Sequence, residues 1–187
     1  MVAGAIAVAM PSPSAKQLVA EAQTFSQETW AHIYDSFYPK IFQYCYIRTG
    51  SRAASDDLAS EVFLQALRGI GRYQYRGLPF QAWFYRIARN LTADYLSRHA
   101  RQATVSLLEE ADSPALLTPD EGDQVALRHD VHIAIRQLTD DQQQVITLRF
   151  FQGLSHEEVA AVMGRRAGAV RVLQHRALSA LRQLMVA

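Results

Sequence analysis

The sequence predicts an all-α fold, two small helical domains joined by an acidic linker, on three observations. Apolar residues recur at spacings of three and four, and few stretches alternate with period two. Helix-start signatures of the form Thr/Ser-x-x-Glu/Gln open at Thr118, Thr139 and Ser155. Charge falls in blocks rather than evenly along the 187 residues. From Gln65 to Arg101 seven arginines face one acid, Asp94, and from Met163 onward five arginines face none. Between the two, from Thr104 to Asp130, seven acids face only Arg128. The net charge of +1 therefore hides two basic blocks, each of a size that suits nucleic acid.

Residues 1–25 read as a flexible N-terminal tail. Its first ten residues are small and apolar, but no Lys or Arg precedes them and the run is too short for a membrane span. The first domain spans 26–101. Ser26 can cap a helix to about Thr49, burying Trp30, Ile33, Tyr34, Phe37, Ile41, Tyr44 and Cys45, with Pro39 as a kink point. Thr49-Gly50-Ser51 ends it. A second helix from about Ser55 carries Asp56 and Asp57 in its first turn and buries Leu58, Val62, Leu67 and Ile70. A loop from Gly71 to Pro79 follows, bounded by Gly and Pro. The third helix, about Phe80 to Arg101, places Phe80, Trp83, Ile87, Leu91 and Tyr95 on one face and Arg86, Arg89, Asn90, Ala93 and Ser97 on another.

Residues 102–117 contain Pro114 and no strong period, so they read as a linker able to span about 50 Å when extended. The second domain, 118–187, begins with Thr118-Pro119-Asp120-Glu121, a capping box with proline at the first helical position. Four helices are expected, at about 119–137, 140–152, 155–163 and 167–184, with Gly153 and Gly164 as stops.

Two constellations point to nucleic acid. The stretch from Ser155 to Arg182 has a helix-turn-helix layout. In the second helix Val170, Leu173, Ala177, Leu181 and Leu184 can pack inward, leaving Arg171, Gln174, His175 and Arg176 outward, where Arg suits guanine and Gln suits adenine. In the first domain arginines interleave with Tyr73, Tyr75, Phe80, Trp83, Phe84 and Tyr85, a mixture that suits single-stranded DNA. Phe80 and Trp83 also fall on the core face, and the loop tyrosines are less committed to packing. Asp56, Asp57 and Glu61 allow an acid–base or metal reading, but no histidine lies nearby in sequence. His129 and His132 beside Asp130 lack an assured third ligand. Phosphate loops, nucleophile elbows and metalloprotease signatures are absent from the sequence, so no catalytic residue, metal or cofactor is assigned. Cys45, the single cysteine, reads as a small buried hydrophobe and excludes an intrachain disulfide.

Taken together, these residues resemble the extracytoplasmic-function (ECF) class of RNA polymerase sigma factors over about 26–184. Asp56 to Leu67, Phe80 to Asn90 and Asp94-Tyr95-Leu96 look like region 2. Leu138 to Gly164, Val170-Arg171 and His175-Arg176-Ala177 look like region 4. The resemblance implies a non-enzymatic initiation factor that binds core polymerase, recognises promoters and melts the −10 element. It implies docking on the β′ clamp helices through Asp56, Asp57 and Glu61, with Phe63 and Gln65 as neighbours, and a contact with the β flap. It implies −10 binding by Tyr73, Gln74, Tyr75 and Arg76, in a loop that captures an extruded base, with Arg86, Arg89, Asn90 and Ala93 lining the adjoining face. It implies −35 reading by Arg171, Val172, His175 and Arg176, with Arg165 and Arg166 on phosphate. A cytoplasmic, nucleoid-associated location and an anti-sigma factor follow as further expectations, with no membrane insertion. The chain departs from the usual pattern at Arg165-Arg166, Ala169, Val172, Leu173 and Gln174. The rival reading is a free-standing helix-turn-helix transcriptional regulator, which leaves the first domain without a task.

Overall fold

The computed structural model describes residues 14–103, 131 and 133–186, and every regular element among them is helical. The first, α1 (Ala15–Gln23), corrects the expectation of a tail through residue 25. Ser14 accepts from the Gln17 amide while the Gln17 side chain accepts from Ser14, which closes a capping box. Nine residues are too few for a stable isolated helix. Packing supplies what length does not: Val19 and Ala22 are buried, and Trp30 Nε1 donates to the Ala22 carbonyl at 3.1 Å.

α2 (Gln27–Thr49) starts at Ser26 as expected and ends at Gly50, whose φ of +71° suits glycine. It buries Ile33, Ile41, Tyr44 and Cys45, but Tyr34 stays 43% exposed and stacks on Tyr38 instead. α3 (Arg52–Gly69) is capped by Ser51 and so starts ahead of the expected point near Ser55. Ser55 is buried one turn further in, its hydroxyl donating to the Ser51 carbonyl. Asp56 and Asp57 therefore fall beyond the first turn, where the helix dipole favours them less. Leu67, expected inside, is exposed.

A short 3-10 turn (Ile70–Arg72) and the loop lead to α4 (Phe80–Ala103), which runs two residues past its expected end. Its buried face is wider than the sequence stripe and is rotated from it. Phe84, Tyr85, Ala88 and Thr92 are the deepest residues after Phe80, while Trp83, Ile87, Leu91 and Tyr95 are half-buried. Phe84 is the aromatic hub, with Phe37, Phe63 and Phe80 ring centroids at 5.2, 5.3 and 5.2 Å. Each such pair contributes about 0.5–1.5 kcal/mol beyond area burial. Phe84 and Tyr85 are thus core residues and not the stacking surface their neighbours suggested.

The expected linker at 104–117 and the start of the following helix, with His129 and His132, lie outside the described residues. The second half resumes with helical residues 133–136 and the capping box of Thr139 and Gln142. α5 (Asp140–Ile146) passes into a π-helical turn (Thr147–Phe151) that leaves Phe150 and Phe151 exposed. α6 (His156–Met163) begins at the Ser155–Glu158 box and stops at Gly164, φ +65°. α7 (Ala167–Val186) buries Val170 and Ala177, half-buries Leu173 and Leu181, and leaves Leu184 exposed.

The two halves share one continuous buried cluster. Polar groups tie the joint. The Arg48 side chain, 1% exposed, donates to the Asp140 carbonyl (3.0 Å), to Gln143 Oε1 (3.3 Å) and to the Asp140 carboxylate. Tyr85 Oη donates to Gln152 Oε1 at 2.7 Å, and Gln152 donates in turn to Gln43. Gly50 lies so close to Arg136 that a Cβ there would stand 2.6 Å from the guanidinium.

Candidate nucleic-acid interface

The loop of the first half and the start of α4 enclose a cleft of about 540 Å³. Its walls carry Arg72, Tyr73, Gln74, Arg76 and Leu78 from the loop side, and Ala82, Trp83 and Arg86 from α4. Tyr73 is held against Trp83 and Phe80, with ring centroids at 4.5 and 5.5 Å. Burial raises its phenol pKa, so Tyr73 presents a neutral ring at physiological pH. Gln74, Tyr75 and Arg76 are exposed at the loop tip. An aromatic floor, several arginines and a mouth open to solvent can receive an unstacked base while cations hold its phosphates.

Along α4, Arg86, Asn90 and Ala93 are exposed. Arg89 is not free: its Nε donates to Gln144 Oε1 at 3.0 Å, and Gln144 donates to Asp140 Oδ2 at 2.9 Å. Ala161 of α6 also lines the cleft. The second half therefore abuts the surface that the sequence assigned to DNA.

Of the acidic set, Asp56 and Asp57 are exposed on α3 and Glu61 is half-buried. Tyr38 donates to the Asp56 carboxylate, and its own pKa is pushed up to about 12, by burial first and then by that carboxylate. Gln65 donates to Glu61 at 3.2 Å and also lines the cleft, one turn from the acids. Phe63, expected beside these acids, lies below them. It is 8% exposed and packed between Tyr34 and Phe84, so it supports the acidic surface from beneath. Among the described residues no three His, Cys, Asp or Glu side chains are grouped to hold a metal ion.

In the second half, α6 and α7 meet at Gly164 as a helix-turn-helix. Arg165, Arg166, Arg171, Val172, His175 and Arg176 are all exposed at the turn and along the first half of α7. Arg171 pairs with Glu157 at 3.0 Å and Arg165 with Asp141, both at the surface. Gln174, expected outward, is half-buried: it accepts from Arg149 at 3.1 Å and shares a hydrogen bond with His156 at 3.0 Å. Its amide orients α7 on α6.

Sequence reasoning missed Arg72, Pro79 and Ala82 as cleft residues. It also missed Arg48, Asp140 and Gln144 as the joint that engages Arg89. Arg72 could have been found from its place beside Tyr73 in the basic loop. The joint carries no local signal, because its partners are 92 and 55 residues apart.

The comparisons with known proteins agree with this layout. The Sigma-70 region 2 model matches residues 33–102, and the Sigma-70, region 4 model matches 134–183. The chain is 38% identical over 171 residues to the ECF RNA polymerase sigma factor BldN of Streptomyces coelicolor, covering 90% of this chain and 65% of that one. It is 34% identical over 179 residues to the ECF RNA polymerase sigma factor SigD of Mycobacterium tuberculosis, covering 91% of this chain and 83% of that one. Among solved structures the fold is similar to CnrH, in complex with the cytosolic domain of CnrY. The TM-score is 0.68 at 22% identity, over 90% of this chain and 94% of that one. It is similar also to the sigma factor RpoE in complex with the anti-sigma factor NepR from Bartonella quintana. There the TM-score is 0.70 at 20% identity, over 83% of this chain and 95% of that one. With both regions matched in order and a 34% identical relative covered over most of its length, the chain belongs to the ECF class of RNA polymerase sigma factors.

Proposed function

We propose that this chain binds core RNA polymerase, directs it to promoters and melts the −10 element, without catalysing a reaction itself. The carrying observation is the cleft edged by Tyr73, Trp83 and Arg86, with the exposed loop tip at its mouth. The exposed residues Arg165, Arg166, Arg171, Val172, His175 and Arg176 take the −35 duplex. The acids Asp56, Asp57 and Glu61 meet the β′ clamp helices, and the second half contacts the β flap. An anti-sigma factor is a further expected partner, as in the complex of RpoE with NepR. No helix among the described residues is long and apolar enough to cross a membrane. We place the protein in the cytoplasm, at the nucleoid.

Reconstitution with core polymerase tests this reading. A promoter-specific transcript from a linear template is expected only when the chain is present. Charge reversal of Asp56 and Asp57 should weaken core binding, while replacing Tyr73 through Leu78 should alter −10 choice and leave core binding intact. A chain that forms no complex with core polymerase and yields no specific transcript sinks the proposal.

A further inference from the structure

The loop between α3 and α4 has a free tip and a fastened base. Among the described residues no hydrogen bond ties Gln74, Tyr75, Arg76 or Gly77 to the rest of the molecule. The base is fastened from a segment that the family matches do not reach: the region 2 match begins at residue 33. Gln23, the last residue of α1, sends its Nε2 to the carbonyl of Ile70 at 3.1 Å and to that of Tyr73 at 2.8 Å. An amide nitrogen carries two hydrogens, so both bonds form together. These two carbonyls bracket the 3-10 turn (Ile70–Arg72), at the point where the chain leaves for the loop.

The support beneath Gln23 is rigid. Val19 and Ala22, on the same helix, are buried, and the Trp30 indole holds the Ala22 carbonyl. On the other side Tyr73 is pinned by its ring against Trp83 and Phe80. The direction in which the loop departs is therefore set by two clamps, an aromatic one within the first half's core and an amide one from α1. The tip has no clamp of its own, so any change of direction at Tyr73 is carried to Gln74, Tyr75 and Arg76 at the cleft mouth.

We infer that Gln23 is a positioning residue for −10 recognition. It holds the exit angle of the 73–78 loop and so sets how sharply the cleft discriminates between bases, without touching DNA or polymerase. The inference deepens the proposed role of that loop and rests on it.

The test uses the full chain assembled with core polymerase. A −10 sequence is first selected by the wild-type holoenzyme from a randomised library. Binding of forked DNA with that −10 strand exposed is then compared with binding of single-base variants, to give a discrimination ratio. Gln23→Met keeps the length and removes both donors; Gln23→Lys restores a donor of similar reach. Dividing two affinities of the same variant cancels any uniform attraction of the added charge. The Met variant should lower the ratio about tenfold with core affinity unchanged, while the loss of two hydrogen bonds within the fold lowers the thermal midpoint only slightly. The Lys variant should recover most of it. A Met variant whose ratio stays at wild type overturns the inference, as does one whose thermal midpoint and core affinity fall in step with the ratio. Replacing Gln74, Tyr75 and Arg76 together by Ala separates the two layers of argument. If that replacement leaves the ratio intact, the loop reading fails and Gln23 with it. If it collapses the ratio while Met does not, only the role of Gln23 fails.

Discussion

The two arginine-bearing helices, α4 and α7, differ in what already occupies their cations. On α7 the ion pair of Arg171 with Glu157 joins side chains 58% and 61% exposed, and the side chains of Arg166, His175 and Arg176 make no hydrogen bond or ion pair among the described residues. Exposed pairs are worth about 0–1 kcal/mol, so a phosphate or a base edge can replace Glu157 at little cost. On α4, Arg86 is open but Arg89 is engaged by Gln144, a side chain of the other half. Gln144 in turn belongs to the network around Arg48, whose side chain is almost wholly buried. One basic surface is therefore ready as it stands, while the other is part of the joint that holds the halves together. Arg89 can turn to another partner only by leaving Gln144.

Breaking the joint is the largest expected effect. Arg48→Met should cost about 3 kcal/mol in urea unfolding, because hydrogen bonds involving a charged group contribute about 1.5–3 kcal/mol each. A loss below about 1 kcal/mol would mean that the joint does not stabilise the chain. Next comes the open surface. Arg176→Ala should weaken holoenzyme binding to its −35 duplex by about 1–3 kcal/mol if the contact is to a base. Equal loss on every sequence would reassign Arg176 to phosphate.

A smaller change concerns the turn that leads out of α1. Phe25 is 58% exposed at φ +58°, a conformation costly for residues with a Cβ. Phe25→Gly should stabilise the first half by about 0.5–1 kcal/mol, since glycine's extra unfolded-state freedom offsets part of the relief. The thermal midpoint reads this directly.

The smallest effect at neutral pH is a titration. Burial pushes the Cys45 thiol from 9.0 up to about 12, and Tyr44 and Tyr85 are raised by burial as well. In each case the folded chain keeps a proton that the unfolded chain gives up. The stability they contribute is whole below pH about 9, and it declines as pH rises toward 12. Thermal midpoints should accordingly fall above pH 9, and alkylation of Cys45 should be slow in the folded protein at pH 8. Rapid labelling there would contradict its burial.

How far the sequence could be read follows the range of each interaction. The boxes at Thr139 and Ser155 and the stops at Gly50 and Gly164 satisfy backbone groups a few residues away, and each was legible. The start of α3 was legible only to within a turn, because Ser51 and Ser55 are both serines ahead of the same apolar stripe, and only packing shows that Ser55 is buried. The stripe on α4 was legible as to its existence but not its centre. A helix flanked on both sides buries more than one face, and Tyr85 faces Gln152, 67 residues on. Phe63 sat in a docking block by sequence, whereas three aromatic neighbours draw it into the core.

By itself, then, the sequence determined the all-helical class, most helix ends and the two basic blocks. These rest on periodicity, capping and charge, which act between near neighbours in the chain. The tertiary structure alone decided that α1 is a strut rather than part of a tail, and that Gln174 orients its helix. It also decided that Arg89 is held by Gln144 and that Gln23 reaches the loop. The last three depend on partners distant in sequence, which leave no period or motif to read; α1 carries the Ser14-x-x-Gln17 box, but only packing shows that it is held against the first half.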